Sequence, residues 1–113
     1  MVLVDTSIWI QHFRQSDSEL VKLAREGWLV THDFVIGELA CGHLPNRSET
    51  IRDLNRLPKV PVVSHSELLH FIDRNELAGS GLSFVDMHLL ASVHATAGLQ
   101  LWTADKRLQQ RLG

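Results

Sequence analysis

A three-layer α/β domain, with a central parallel sheet of about four strands flanked by helices, is the fold class this sequence predicts. Two observations carry the expectation. Short apolar runs recur at "VLV" 2–4, "WLV" 28–30, "VPVV" 60–63 and "LQLW" 99–102, and the segments between them place apolar residues at helical spacing. Strands alternating with helices pair in parallel through right-handed crossovers, which puts helices on the sheet faces. The length of 113 residues holds one such unit, residues 1–113, with no room for a second core.

Each element has its own signals. "VLV" ends at Asp5, and "SIWIQHF" continues as a helix that Asp5 can cap. "SDSE" reads as a capping box opening the next helix, which carries Leu20, Val21 and Leu23 before Gly27 stops it. A further helix begins near His32 with Phe34, Val35, Leu39 and Ala40. The helix after Pro45 is polar apart from Ile51, Leu54 and Leu57, so a surface position follows. Pro58 and Pro61 bracket the third apolar run, which suits an edge strand. "SHSE" opens another helix, and "SFVDMHLLASVHATAG" forms a long one closed by Gly98.

Composition excludes several classes. A hydrophobic fraction of 44% and a charged fraction of 21% are those of an ordinary globular chain. No apolar stretch approaches the ~20 residues that cross a bilayer, and Asp5 interrupts the first run before a signal sequence forms, so a cytoplasmic protein without a membrane partner is expected. The lone Cys41 cannot form an internal disulfide and is expected to pack as a small apolar residue. A net charge of -2 argues against a nonspecific polycation. If four of the 13 acids neutralise a metal, nine remain against 11 basic residues, and phosphate binding becomes compatible with the charge.

Four acids carry the functional signal. Asp5 follows the first strand, and Asp105 stands just beyond the last, where parallel sheets bind ligands. Glu38 shares a helical face with Val35 and Leu39, and Asp86 with Leu89, Leu90 and Val93. A carboxylate facing an apolar core needs a partner, and basic residues are absent near three of the four. A cation is the natural counter-charge, and oxygen-only ligation points to Mg²⁺ or Mn²⁺. Each acid also has a plainer reading: Asp5 and Asp105 as helix caps, Asp86 in a capping box with Ser83, Glu38 at a helix margin. Other chemistries lack their motifs. There is no H-E-x-x-H, no G-x-S-x-G and no phosphate loop ending in Lys-Ser or Lys-Thr, and the single Glu-x-x-His at Glu67 and His70 lacks a second copy.

The opening "VLVDTSIWI", the "IGELACG" around Glu38, and "GLSFVDMHLLASVHATAGLQLWTADKRL" with Asp86 and Asp105 together resemble the PIN domain, and more closely the VapC type of toxin ribonuclease. The resemblance spans nearly the whole chain. It implies that Asp5, Glu38, Asp86 and Asp105 are the catalytic and metal-binding quartet, holding Mg²⁺ or Mn²⁺ for cleavage of RNA phosphodiester bonds. It implies that Ser7 and Thr103 support those acids. A homodimer and a cognate VapB-type antitoxin bound near the site are the implied partners. Two departures stand out: the sequence stops at Gly113, where the family adds a further edge strand, and basic residues near the acids are few. The alternative from another class is a PIN-like module that binds RNA or protein without turnover. Trp9, Phe13 and Trp28 are candidates for a partner surface, with core packing expected for at least two of them.

Overall fold

The computed structural model describes residues 1–112. Three strands, β1 (Val2–Val4), β2 (Leu29–Val30) and β3 (Gln100–Trp102), form one parallel sheet in the order β2-β1-β3. The register sets Leu3 opposite both Val30 and Leu101, so the N-terminal strand is central and its C-terminal end emerges between its neighbours. Asp5 therefore leaves the sheet at the centre of its C-terminal edge.

Among the described residues seven helices accompany the sheet: α1 (Thr6–Arg14), α2 (Ser18–Arg25), α3 (Asp33–Ala40), α4 (Arg47–Arg56), α5 (His65–Arg74), α6 (Phe84–Ala95) and α7 (Lys106–Gln109). Most caps are the side chains that local chemistry favours. Asp17 accepts from the Glu19 and Leu20 N–H groups at the start of α2, so the cap lies one residue later than the Ser16 of the expected box. Ser64 caps α5, and Ser83 and Asp86 form a complete capping box at α6. α4 starts without a side-chain cap, its Asn46 adopting the left-handed backbone that Asn tolerates better than most residues.

The expected fourth strand is corrected. Around Lys59 the chain makes one isolated parallel bridge to Thr31: the Thr31 N–H donates to Pro58 O and the Val60 N–H to Thr31 O, both at 2.9 Å. Pro58 O and the Val60 N–H face β2, so the next pairing on that edge would need residue 33, which already belongs to α3, and the apolar run at 60–63 stays irregular.

Two apolar clusters result. One joins β1 and β2 to α1, α3 and α4 through Leu3, Ile8, Val35, Leu39 and Leu54. The other lies among α5, α6 and α7 around Leu68, Leu90 and Leu108, and Leu101 packs against both. Trp9 is buried and Phe13 half-buried in the first cluster, whereas Trp28 is exposed. Cys41 is exposed at the C-terminus of α3, so its expected apolar packing does not occur. Among the described residues no helix is long and apolar enough to cross a membrane.

Candidate acidic active site

The sheet's C-terminal edge gathers the acids that β1 and β3 deliver. Asp5 is only 6% exposed, and its carboxylate is held from three directions. Oδ1 accepts the Thr6 N–H at 2.8 Å; Oδ2 accepts the hydroxyls of Ser7 at 2.9 Å and Thr103 at 2.7 Å. The Thr103 bond spans 98 positions of sequence, and it is the parallel pairing of Val4 with Trp102 that brings the two residues side by side.

The hydroxyls pass the order on. Thr103 Oγ1 accepts from the Asp105 N–H at 3.0 Å, and Ser7 Oγ accepts from the Ala104 N–H at 3.1 Å, so the turn after β3 is fastened to the turn after β1. Asp105 Oδ1 caps α7 by accepting from the Arg107 and Leu108 N–H groups. On the other side, Thr6 Oγ1 donates to Glu38 Oε1 at 2.7 Å, which ties α3 to the start of α1. Asp5, Glu38 and Asp105 thus belong to one hydrogen-bonded array. Thr6, which bridges two acids, was not among the sequence candidates; its only signal was a hydroxyl directly after Asp5.

Asp86 stands apart from that array. Its Oδ2 accepts the Ser83 N–H at 3.0 Å and its own N–H donates to Ser83 Oγ at 3.0 Å, which is the capping box and not a contact with another acid. A separate contact relates its helix to the strand-end acids: Arg107 Nη1 donates to Gly81 O at 3.2 Å, joining the loop before α6 to the residue two after Asp105. Gly81 has φ +85°, a backbone that favours glycine, and a Cβ there would lie 2.7 Å from the same Arg107 nitrogen and displace it from this contact.

Burial separates the four. Asp5 is buried, Asp86 and Asp105 are half-buried, and Glu38 is exposed. The expectation that Glu38 faces the apolar core is corrected: Val35 and Leu39 are buried, while Gly37, Cys41 and Gly42 around it are exposed, so Glu38 lies at the helix margin. Neither ion pair among the described residues, Arg56–Asp53 or Lys59–Asp33, involves any of the four.

The donor chemistry fits a hard divalent cation. All four groups are carboxylates without an ion-paired basic residue among the described residues. Glu38 Oε2, Asp86 Oδ1 and Asp105 Oδ2 have no hydrogen-bond donor among the described residues, while the other oxygen of each is held. In their present rotamers no three His, Cys, Asp or Glu side chains among the described residues converge to hold an ion.

Beside the array, α3 and α6 meet at a buried histidine pair. His32 Nδ1 accepts the Phe34 N–H at 3.0 Å and caps α3, which leaves the proton of the neutral ring on Nε2. His32 Nε2 and His88 Nδ1 are buried without a protein partner, and the rings lie 6.2 Å apart. Burial lowers the His32 pKa to about 4, helped by His88 and opposed by Asp33. Burial, and then His65, also lowers that of His88. The sequence signals only that His88 is off the face of His94; its pairing with His32 requires the packing of two helices 56 residues apart in sequence.

Comparison with known proteins places this geometry in context. The PIN domain family model matches residues 2–112. The chain is 45% identical over 109 residues, 96% of its length and 88% of the relative's, to Ribonuclease VapC32 of Mycobacterium tuberculosis strain H37Rv, and equally to Ribonuclease VapC32 of strain CDC 1551 / Oshkosh.

Proposed function

Because the chain belongs to the PIN domain family, we propose that it is a metal-dependent endoribonuclease, the toxin of a toxin–antitoxin pair, built as a single PIN domain over residues 1–113. The observation that carries this reading is the hydrogen-bonded array that runs from Glu38 through Thr6 to Asp5 and on through Thr103 to Asp105. An array that orders acids at a sheet's C-terminal edge, without supplying them cations, suits metal-assisted chemistry better than it suits stability.

In this reading Asp5, Glu38, Asp86 and Asp105 hold Mg²⁺ or Mn²⁺. A bound divalent ion supplies Lewis acidity toward a phosphoryl oxygen. The protein's part is positional. Ser7 and Thr103 fix the Asp5 carboxylate in one rotamer, and Thr6 aims one oxygen of Glu38 so that the other stays available. Burial of Asp5 limits water at that oxygen pair. The proposed partners are the RNA substrate, a VapB-type antitoxin and a second copy of this chain, in the cytoplasm where RNA is met.

A second reading, a PIN-like module that binds RNA or protein without cutting, is favoured by one observation: no three carboxylates converge in the present rotamers. One experiment separates the two. Purified protein free of antitoxin is incubated with RNA in Mn²⁺, in Mg²⁺ and in EDTA. Cleavage that requires the ion supports the nuclease; RNA binding with intact strands in every condition supports the silent module.

A further inference from the structure

Single exposed apolar side chains are ordinary on protein surfaces, so exposure alone says little. Position is more informative. Phe84 has 54% of its area exposed and opens α6 two residues before Asp86. Its ring stacks on Phe34 with centroids 6.2 Å apart and planes 28° from parallel. Phe34 in turn lies one helical turn before Glu38 on α3. The Phe84–Phe34 contact therefore spans the two helices that carry Asp86 and Glu38. His88 braces both rings edge-on, at 4.7 Å from Phe84 and 4.6 Å from Phe34.

Trp28 is as exposed, at 53%, but it precedes β2, at the end of the parallel sheet away from Asp5 and Asp105. Phe84 combines an open side, a braced inner side and a place beside the acids.

We infer that Phe84 is a base-stacking platform that seats one unstacked nucleobase of single-stranded RNA next to the acidic site, and so positions the strand for cleavage. The inference rests on the ribonuclease reading and adds to it a residue that binds substrate. Proteins that read single-stranded RNA stack bases on aromatic rings, and a ring already pinned loses little freedom when a base arrives. Electrostatics favours the same solution. Neither ion pair among the described residues reaches the four acids, so the metal of the ribonuclease reading is the cation at the site, and a contact indifferent to charge adds binding that the ion does not supply.

The test uses Phe84→Leu, which keeps apolar packing on Phe34 and His88 but removes the aromatic face, together with Phe84→Trp and Phe84→Ala. Binding of a fluorescein-labelled single-stranded RNA is followed by anisotropy in an Asp5→Asn background, and cleavage in the wild-type background. Base stacking predicts that Phe84→Leu and Phe84→Ala weaken binding roughly 5- to 150-fold, mainly through KM in the cleavage arm, and that Phe84→Trp restores it. An abasic nucleotide moved along the strand should weaken wild-type binding at one position and have no added effect in Phe84→Leu. If wild-type protein cuts RNA and Phe84→Leu binds and cuts as well as wild type, the platform is overturned and the nuclease stands. If Phe84→Leu instead changes oligomeric mass or antitoxin affinity with RNA binding unchanged, the ring is a protein contact and the inference fails. Wild-type protein that neither binds nor cuts RNA overturns both.

Discussion

Two regions of this molecule, the sheet edge at Asp5 and the α3–α6 seam, are built on opposite rules. At the sheet edge, Asp5, Ser7, Thr103 and the turn to Asp105 satisfy one another, each hydroxyl donating to one group and accepting from another. At the α3–α6 seam, His32 and His88 are buried with a ring nitrogen each left unpartnered, and the nearby acids Glu38 and Asp86 reach the surface. Buried polar groups cost free energy when unsatisfied. The sheet edge is therefore pre-organised at little cost, whereas the seam carries polarity that packing alone does not stabilise. Order at Asp5 comes from several bonds across the sheet edge; Glu38 is held by one long-range bond from Thr6, and Asp86 by its local capping box.

The largest expected effect separates charge from shape in both regions. Asp5→Asn and Asp86→Asn should each lower RNA cleavage by on the order of 100- to 1,000-fold, as happens when a group stabilising transition-state charge is removed. Neither should unfold the protein. Asn at position 5 can still accept the Thr6 N–H, and its amide can donate to the Ser7 and Thr103 hydroxyls. Asp5→Ala differs, because it removes every side-chain partner of the Thr6 N–H and of the Ser7 and Thr103 hydroxyls, and it should cost about 1–3 kcal/mol in urea denaturation. Cleavage by Asp5→Asn at the wild-type rate would remove the chemical role assigned to the sheet edge.

The seam responds to pH with a definite sign. His32 takes a proton near 6.5 when unfolded and near 4 when folded. Between those values the unfolded chain binds more protons, so stability is fully present above about pH 6.5 and is lost as pH falls toward 4, by up to about 3 kcal/mol. His88, lowered for the same first reason, acts in the same direction. Urea midpoints at pH 7.5, 5.5 and 4.5 measure the loss, and His32→Asn, which can still cap α3, should flatten the curve. An unchanged slope in His32→Asn would take the pH response away from His32, and an unchanged slope in a variant that also carries His88→Asn would place it outside the seam.

The same contrast shows what the sequence could reveal. Asp5 and Asp105 were legible because a strand's end is marked by an apolar run stopping at an acid, and a parallel sheet leaves few places for such residues. Helix starts were legible to within a residue from Ser, Asp and His at the caps. The fourth strand misled, because β-branched composition at 60–63 does not reveal whether a neighbour runs alongside, and here the chain turns into α3 two residues after Thr31. Glu38 misled as well. Its i−3 neighbour is core, but Cys41 and Gly42 on its other side fall where α3 ends and the surface begins. The Thr6 bridge, the histidine pair and the Phe84–Phe34 stack join segments far apart in sequence, and no periodicity encodes such contacts.

Metal addition tests whether the two regions act as one site. At 100 times its dissociation constant an ion that binds only the folded state adds about 2.7 kcal/mol, which for a chain of this size raises Tm by roughly 10 °C. Mn²⁺ should produce that rise and EDTA should reverse it. If the sheet edge and α6 share the ion, Asp5→Asn and Asp86→Asn should each diminish the rise. Loss in Asp5→Asn alone would confine the ion to the sheet edge and detach Asp86.

The smallest effect bears on the residue with two competing roles. Asp86 closes a capping box with Ser83, and that bond alone could explain its presence at the start of α6. Ser83→Ala removes the acceptor for the Asp86 N–H yet retains the Ser83 backbone N–H that donates to Asp86 Oδ2, so the carboxylate keeps its anchor. The expected cost is about 1 kcal/mol in denaturant midpoint, with cleavage rate and its Mn²⁺ dependence unchanged. Asp86→Asn should show the reverse, since Asn Oδ1 can accept the same N–H while the charge is gone. Helix stability and chemistry then fall on different atoms of one turn. If Ser83→Ala and Asp86→Asn lose stability alike and both cut RNA at the wild-type rate, Asp86 is a cap and nothing more, and the acids that matter are the three joined through Thr6 and Thr103.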